Sequence, residues 1–585
     1  MTGRAVCGFA CRGLAAALLS GVFWVQPALA QGVEQNPPAT LVGPQVTSLN
    51  AAVFANRPDD PTPFGVTLNG LLLVDTKANG GRLLSRSGTT GIDTSFGGPT
   101  AQNAALRKLL AKYVGQPMSF RLLSAIQTDV TQFYRDNGRS LVSVTVPQQE
   151  ITGGVVQVNV TAFVLGGTTI AGVDPTSSDF LNRQVRLKPG QEVDTDRLLE
   201  DVNWLNQNPF RHVSVLFEPG QSQASTNLTL RVQTAQRTWS GYAGVSNAGT
   251  EDTGLVRLFA GFNLSALSWR DQQLSYQFTG SPESIGNLRL WDTGTDKGYL
   301  SHALTYFIPI TTKDGFRTKL TFGASHISSY SVPGGVFTSG SETTILDGEI
   351  AFPLPKTRGR FALVPELYAQ VELTDYDKVL YFGGFPVEEH TNLLHGAIGV
   401  RSALNGPLFG KTSRGSADIA LVFGRETEGS TSTNYSYLTF DLKEEVFLDR
   451  EKSIAVRLGG QSTSDVLHPL EQMALGGNGT VRGYPVNGLA ASTAMAASIE
   501  YRGQQMSFRV ADQDATLRPH VFVDYGFAKA FGGSPEQTLL SVGLGGDFEI
   551  GKNVVGSINI AQALREAGPT DANTTSIAFQ MTARF

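Results

Sequence analysis

From position 239 to the end of the chain, apolar and polar residues alternate in runs of about ten, broken by turn-rich stretches. Sixteen such runs stand out, at 239–247, 254–264, 271–280, 299–309, 316–327, 343–353, 360–373, 394–403, 415–425, 434–443, 453–461, 492–502, 518–527, 538–549, 553–562 and 576–585. A period of two puts alternate side chains on opposite faces of a strand. In the last run Ile577, Phe579, Met581, Ala583 and Phe585 share one face, and most of the other face is polar. In 319–324, Leu320, Phe322 and Ala324 do the same, just after an Asp314-Gly315 hairpin turn. An even number of such strands predicts a closed antiparallel barrel, apolar towards lipid and polar towards its lumen. Core strands of a soluble sandwich are the competing reading. They do not explain a chain that ends on Phe585 at full strand amplitude.

Residues 63–235 have a different rhythm. After Ser119, Leu122, Leu123, Ile126, Val130 and Phe133 recur at helical spacing. After Asp194, Leu198, Leu199, Val202 and Leu205 do so again. The pairs Gly115-Gln116 and Gly190-Gln191, 75 residues apart, precede the two helices. Strands are expected before each helical part, at 66–74 and 168–171, and in pairs after it, at 141–146 with 155–163 and at 213–218 with 228–232. Two copies of strand, helix, helix, strand, strand resemble POTRA modules. The expected fold is therefore mainly β, a sixteen-stranded antiparallel transmembrane β-barrel preceded by two small α+β POTRA modules. The expected domains are 1–30, 31–62, 63–165, 166–235 and 236–585. Residues 75–103, rich in Gly, Ser and Thr, are expected to be a mobile insertion in the first module. Residues 31–62 are polar and Pro-rich, a linker or a plug segment, with a weak helical pattern near 46–54.

Residues 1–30 read as a secretory leader: Arg4 and Arg12, an apolar run from Gly13 to Val25, and the small-x-small site Ala28-Leu-Ala30. The apolar run is too short to cross a bilayer as a helix. Cys7 and Cys11 both lie in that leader, so no disulfide or thiolate metal site is expected in the mature protein. Without the leader, 44 basic residues face 51 acidic ones, which argues against a nucleic-acid partner. Enzyme motifs fail on inspection. The stretch Gly406 to Thr412 is one residue short of a phosphate-binding loop, and HExxH and GxSxG are missing. No enzyme, cofactor or metal chemistry is expected.

The chemistry-bearing residues lie near the end. The longest connection, between runs eleven and twelve, contains Val481-Arg482-Gly483-Tyr484. Run thirteen contains Phe522-Val-Asp524-Tyr-Gly526. Val521, Val523 and Tyr525 suit lipid, which turns Phe522, Asp524 and Gly526 inward. A carboxylate inside a barrel calls for a cation, and Arg482, with a fork that matches it, is the candidate. Gly483 and Gly526 permit close backbone approach.

Together with two POTRA-like modules, these motifs resemble the two-partner secretion transporters, the TpsB or haemolysin secretion/activation family. Tyr134-Arg-Asp-Asn-Gly138, Leu205-Asn-Gln-Asn-Pro209 and Asn247-Ala-Gly249 support the resemblance. Val245 to Gly249 departs from the family's usual turn, and 490–497 is unusually rich in Ala. The resemblance implies an outer-membrane protein with periplasmic modules. Its task would be to pass a large unfolded exoprotein, of adhesin or haemolysin/cytolysin type with an N-terminal secretion domain, to the cell surface. An assembly factor for other barrels, a passive porin and a barrel lipase are the alternatives. Expected partners are the secreted protein, the barrel-assembly machinery and outer-membrane lipids. The expected cargo-binding positions are Leu141, Ser143 and Val144 in one module and Val213, Ser214 and Val215 in the other. Phe579 and Phe585 are expected to carry the insertion signal.

Overall fold

In the computed structural model of the chain, the described residues are 34, 36–39, 41, 43–46, 59–84, 89–139, 141–222, 224–265, 270–295, 297–332, 338–357, 362–382, 385–529 and 536–585. The expected leader at 1–30 and residues 47–54 of the weak helical pattern lie outside them. The chain divides into two compact units, the smaller spanning 43–235 with 313–315.

The smaller unit holds two sheets. In the first, Gly91–Phe96, Gly70–Asp75, Val155–Ala162 and Val142–Thr145 lie side by side in that order. In the second the order is Val164–Ala171, Ser225–Thr234, Arg211–Pro219. Ser119 caps the helix Phe120–Asp136 through Leu122 N at 3.2 Å. Asp194 caps Thr195–Leu205 through Arg197 N at 3.1 Å. Both caps satisfy amides that the first helical turn leaves free. Leu122, Ile126 and Val130 bury against Leu71, Leu73, Val156 and Val158. The Gly-Gln repeat has a structural cause. Gly115 and Gly190 both take a left-handed φ, 88° and 84°. Their amides bond Leu68 O and Leu165 O, each at 2.7 Å, at matching places in the two modules. The modules are joined directly, Thr195 N to Gly138 O at 2.9 Å.

The expected insertion at 75–103 is corrected. Its described residues include the strand Gly91–Phe96, which pairs in parallel with Gly70–Asp75, and the helices Thr76–Asn79 and Gly98–Ala101. A short polar strand recruited by a partner some twenty residues away leaves no local period to read.

The larger unit is a closed barrel. Its strands, in order, are Trp239–Ser246, Arg257–Ser265, Gln273–Gly280, Gly298–Thr311, Arg317–Ser331, Thr338–Pro353, Ala362–Phe382, Phe385–Leu408, Lys411–Glu428, Thr431–Phe447, Ser453–Ser462, Ala494–Arg502 with Met506–Val510, Gln513–Ala528, Gln537–Ile550, Val554–Ala563 and Thr575–Arg584. The twelfth is one strand interrupted at 503–505, since both pieces pair with the thirteenth. Sixteen antiparallel strands match the sixteen runs. Their apolar face points out: Phe322, Val521, Val523, Ile577 and Met581 are exposed, while Phe522 and Asp524 are buried. The sixteenth strand closes on the first through Gln580–Arg584 against Tyr242–Ser246, and Phe585 N adds a bond to Gly241 O at 2.9 Å.

The sixth to tenth strands are longer than their sequence runs. The seventh and eighth pair along 362–382 and 385–408, well past the runs at 360–373 and 394–403. Past those runs the hairpin carries Asp375, Asp377, Glu388, Glu389 and His390. Outside lipid the outward face need not be apolar, so the alternation fades while the hydrogen-bonded ladder continues.

Candidate functional site

The connection 463–493 folds back into the barrel instead of projecting away. Its two limbs are tied at the base, where Thr463 N bonds Thr493 Oγ1 at 3.0 Å and Leu467 N bonds Ser492 Oγ at 3.1 Å. Met473–Leu475 pairs with Leu489–Ala491 as a short ribbon. Leu475, Val481 and Tyr484 pack against Ala494, Ala496, Leu539 and Ala563 of the wall. That contact explains the Ala-rich stretch: larger side chains on the twelfth strand would hold the loop off the wall.

At the loop tip the structure brings Arg482 to Asp524. Arg482 Nε donates to Asp524 Oδ2 at 2.7 Å, Nη2 to Oδ1 at 2.8 Å, and the Arg482 amide to Oδ2 at 3.0 Å. Asp524 is 0 % exposed, and Ser498 Oγ donates a further bond to it at 2.6 Å. Two partners were not foreseen from sequence. Arg482 Nη1 reaches Glu500 Oε2 at 2.7 Å, and Nη2 reaches Ser498 Oγ at 3.0 Å. The guanidinium sits 3.3 Å from the centroid of the Phe522 ring. Ser498 and Glu500 stand opposite Asp524 and Phe522 on the twelfth strand, so strand register alone places them there.

The remaining residues of the motif do other work. Tyr484 leaves the ion cluster: its hydroxyl donates to Arg565 O at 2.8 Å and accepts from Leu540 N at 3.1 Å. Gly483 has φ 97°, and a Cβ there would meet Ser541 Cβ at 3.2 Å. A Cβ on Gly526 would lie 2.9 Å from Val481 Cγ2, so the wall is bare where the loop presses on it.

The described part of 31–62 contains a second lumen element, the plug alternative of the sequence reading, with contacts that the sequence did not foretell. Glu34 forms a paired bridge with Arg257, Nε to Oε1 at 2.8 Å and Nη2 to Oε2 at 2.7 Å, and Arg257 is 1 % exposed. The Tyr299 hydroxyl bonds Glu34 O, Asn36 Nδ2 bonds Tyr299 Oη at 2.9 Å, and Ala39 N bonds Tyr242 Oη at 3.0 Å. Pro37 and Pro38 line the same lumen cavity as Met473, Gly479 and Thr480 of the loop. Charged wall residues line it too, Arg401 bridging Glu349 and Glu366 among them.

In the smaller unit, the six expected cargo-binding positions fall on or beside sheet edges. Val142–Thr145 ends one sheet and Arg211–Pro219 ends the other. Phe163 N bonds Leu141 O and Ala235 N bonds Phe210 O. Opposed residues in an antiparallel pair alternate between bonded and unbonded. With the register 143↔161 and 214↔231, Ser143 and Ser214 turn their amides into the sheet. The outward amides belong to Val142, Val144, Val213 and Val215, and that of Val213 already donates to Asn206 Oδ1 at 2.7 Å. Gln127 Nε2 donates to the outward Val144 carbonyl at 3.3 Å, so the helix Phe120–Asp136 flanks that edge. Phe579 backs the barrel seam through Asn247 Oδ1, which accepts from its amide at 2.7 Å.

Comparison with known proteins agrees with this construction. Residues 93–162 match the POTRA domain of ShlB type, and 414–548 match the haemolysin secretion/activation proteins ShlB/FhaC/HecB. The heme/hemopexin transporter protein HuxB of Haemophilus influenzae strain 86-028NP is 21% identical over 482 residues, 78% of this chain and 80% of that one. CdiB from Escherichia coli has the same fold, with a TM-score of 0.65 at 15% identity over 92% of this chain and 94% of that one. CdiB from Acinetobacter baumannii follows at 0.61 and 15%, over 94% and 95%. The chain thus carries a ShlB-type POTRA domain and a segment of the haemolysin secretion/activation type within a sixteen-stranded barrel, and in these features it resembles the two-partner secretion transporters of the outer membrane.

Proposed function

We propose that this protein moves a large unfolded exoprotein, carrying an N-terminal secretion domain, from the periplasm to the cell surface, and that Arg482 holds the loop across the lumen between export events. Export by two-partner secretion is supported by the match of 414–548 to the haemolysin secretion/activation proteins. The resting lock rests on one observation, the buried Arg482 cluster with Asp524 and Glu500 at the tip of a loop folded into the barrel. A buried ion pair adds little net stability, because desolvation offsets attraction. It does fix geometry, and a loop that must hold one position and later leave it needs such a contact. The cargo is read as an adhesin or cytolysin, met first as an extended chain at the edges near Val142–Val144 and Val213–Val215. The protein acts as a conduit, without chemistry on its cargo. Insertion by the barrel-assembly machinery through the strand that ends at Phe585, with lipid around the outward face, completes the reading.

The test is a cycle of Arg482→Ala, Asp524→Ala and the exchange of the two charges, read as secreted cargo with barrel insertion measured alongside. Each single change is expected to cut export while the barrel still inserts. The exchange recovers only part, because an acid at 482 would face Glu500, 2.7 Å from the present guanidinium. Additive single effects, with the exchange worse than either, would refute the lock.

A further inference from the structure

A second polar contact holds the same loop from another side of the lumen. On its outgoing limb, the single turn Pro469–Glu471 carries Glu471 into the wall. Glu471 is 2 % exposed. Its Oε2 accepts from the Tyr437 hydroxyl at 2.5 Å, and its Oε1 lies 3.0 Å from His395 Nδ1. His395 Nε2 lies 3.9 Å from Glu372 Oε2, on the far side of the ring. The main chain is held as well, with Gln461 Nε2 donating to Glu471 O at 2.8 Å. Four residues earlier, Leu467 packs with Ala397, Val422, Tyr435 and Tyr437. This limb is therefore bound to strands eight to eleven, and the tip chiefly to strands twelve to fifteen, with one bond from Arg457 of strand eleven to Gly479 O.

The two contacts have opposite polarity. At the tip the loop supplies the cation and the wall supplies Asp524 and Glu500. At the limb the loop supplies the anion and the wall supplies a phenol and an imidazole. A loop displaced so that Glu471 faced the tip contact would set it against Asp524 and Glu500, and either buried charge without its partner is costly. We propose that Glu471 is a positioning residue that pins the outgoing limb to Tyr437 and His395, so that the tip moves as an arm about a fixed base when Arg482 leaves Asp524. The inference rests on the reading of the tip as a releasable lock, but its first readout does not depend on export.

The two cysteines of the sequence, Cys7 and Cys11, precede residue 31, so single reporter cysteines are practical. Leu470→Cys, buried beside Glu471, reports the limb, and Val481→Cys, 0 % exposed beside Arg482, reports the tip. A membrane-impermeant maleimide is applied to intact cells carrying the full chain. Glu471→Ala is expected to speed labelling at 470 on the order of 10- to 100-fold and to change 481 by less than about threefold, while lowering export of cargo. Asp524→Ala is expected to do the reverse at the two reporters. Glu471→Gln keeps an acceptor for Tyr437 and should fall between Glu471→Ala and the parent. Should Glu471→Ala fail to insert, Glu471→Gln and Tyr437→Phe are read in the same way. Joint loosening of both reporters in either variant would overturn the fixed base. So would normal export from a barrel whose limb reporter has become accessible. Failure of the tip lock itself would show instead as normal export from Arg482→Ala and Asp524→Ala, with the labelling at 470 still reading the limb alone.

Discussion

Arg482→Lys separates the two properties of the tip lock, charge and shape. Arginine spends its fork on three acceptors: Nε and Nη2 on Asp524 at 2.7 and 2.8 Å, Nη2 also on Ser498 at 3.0 Å, and Nη1 on Glu500 at 2.7 Å. Its flat face also lies on the Phe522 ring. A lysine ammonium keeps the charge and reaches one carboxylate well, but it has no planar fork. At least two charge-assisted bonds go, about 1.5–3 kcal/mol each. Water entering beside the smaller head group offsets part of that, leaving a net loss of about 2–4 kcal/mol. The backbone bond from the 482 amide to Asp524 Oδ2 at 3.0 Å survives, so the tip is weakened and not cast loose. At about 1.4 kcal/mol per tenfold, the locked fraction relative to the open one should drop roughly 30- to 1,000-fold. Maleimide labelling of Val481→Cys, buried in the locked state, measures that shift when opening and closing outpace modification. Raising salt from 50 to 500 mM should change the parent rate little, since a buried pair is poorly screened. Labelling of Arg482→Lys within about threefold of the parent, with Arg482→Ala fast, would show that net charge holds the tip and would refute the argument from the fork.

Three further outcomes follow from other parts of the molecule. Deleting Phe585 removes its paired bonds with Gly241, at 2.9 and 3.2 Å, from a seam of five ladder pairs; heat-modifiable barrel on gels should fall several-fold, and unchanged amounts would exclude this residue from closure. Val142→Pro and Val215→Pro remove outward amides while leaving the inward bonds of Ser143 and Ser214, so correctly folded variants should bind extended cargo about tenfold more weakly, and equal binding would rule out pairing at these edges. The Asp174 carboxyl is held below its usual pKa by hydrogen bonds from the side chain and the amide of Ser177, the latter at 3.0 Å. A folded pKa below the unfolded one gives stability that is present above the unfolded value and is lost as pH falls through the folded value. The acid limb of unfolding for the smaller unit should therefore flatten in Asp174→Asn, which keeps a helix cap without titrating, and an unchanged limb would assign acid sensitivity elsewhere.

What the sequence made legible and what it hid divide along one physical line, whether the constraint acting on a residue is local. Lipid filters every outward position, so the sixteen strands appear as an alternation within each run, and Val521 and Val523 point Asp524 inward without any knowledge of its neighbours. A buried carboxylate then demands a cation, and that demand can be met from sequence because few arginines lie in a connection long enough to reach. The demand is not selective enough to find the rest of the cluster. Ser498 and Glu500 are supplied by the register between strands twelve and thirteen, and register is decided by the whole ladder. His395 and Tyr437 meet Glu471 across 76 and 34 positions, and Glu34 meets Arg257 across 223. In each case one partner sits in a segment with no period, where a lone acid reads as a solvated side chain. Barrel closure turns those lone acids into buried ones. The same closure explains why Ala490 to Ala497 looked anomalous: the twelfth strand is fitted to the loop that rests on it, a constraint set by residues 473–484 and absent from the strand's own pattern. A reading of related chains would therefore gain most by asking, for every unpaired acid in a connection, which lumen-facing Arg, His or Tyr the closed barrel can bring to it.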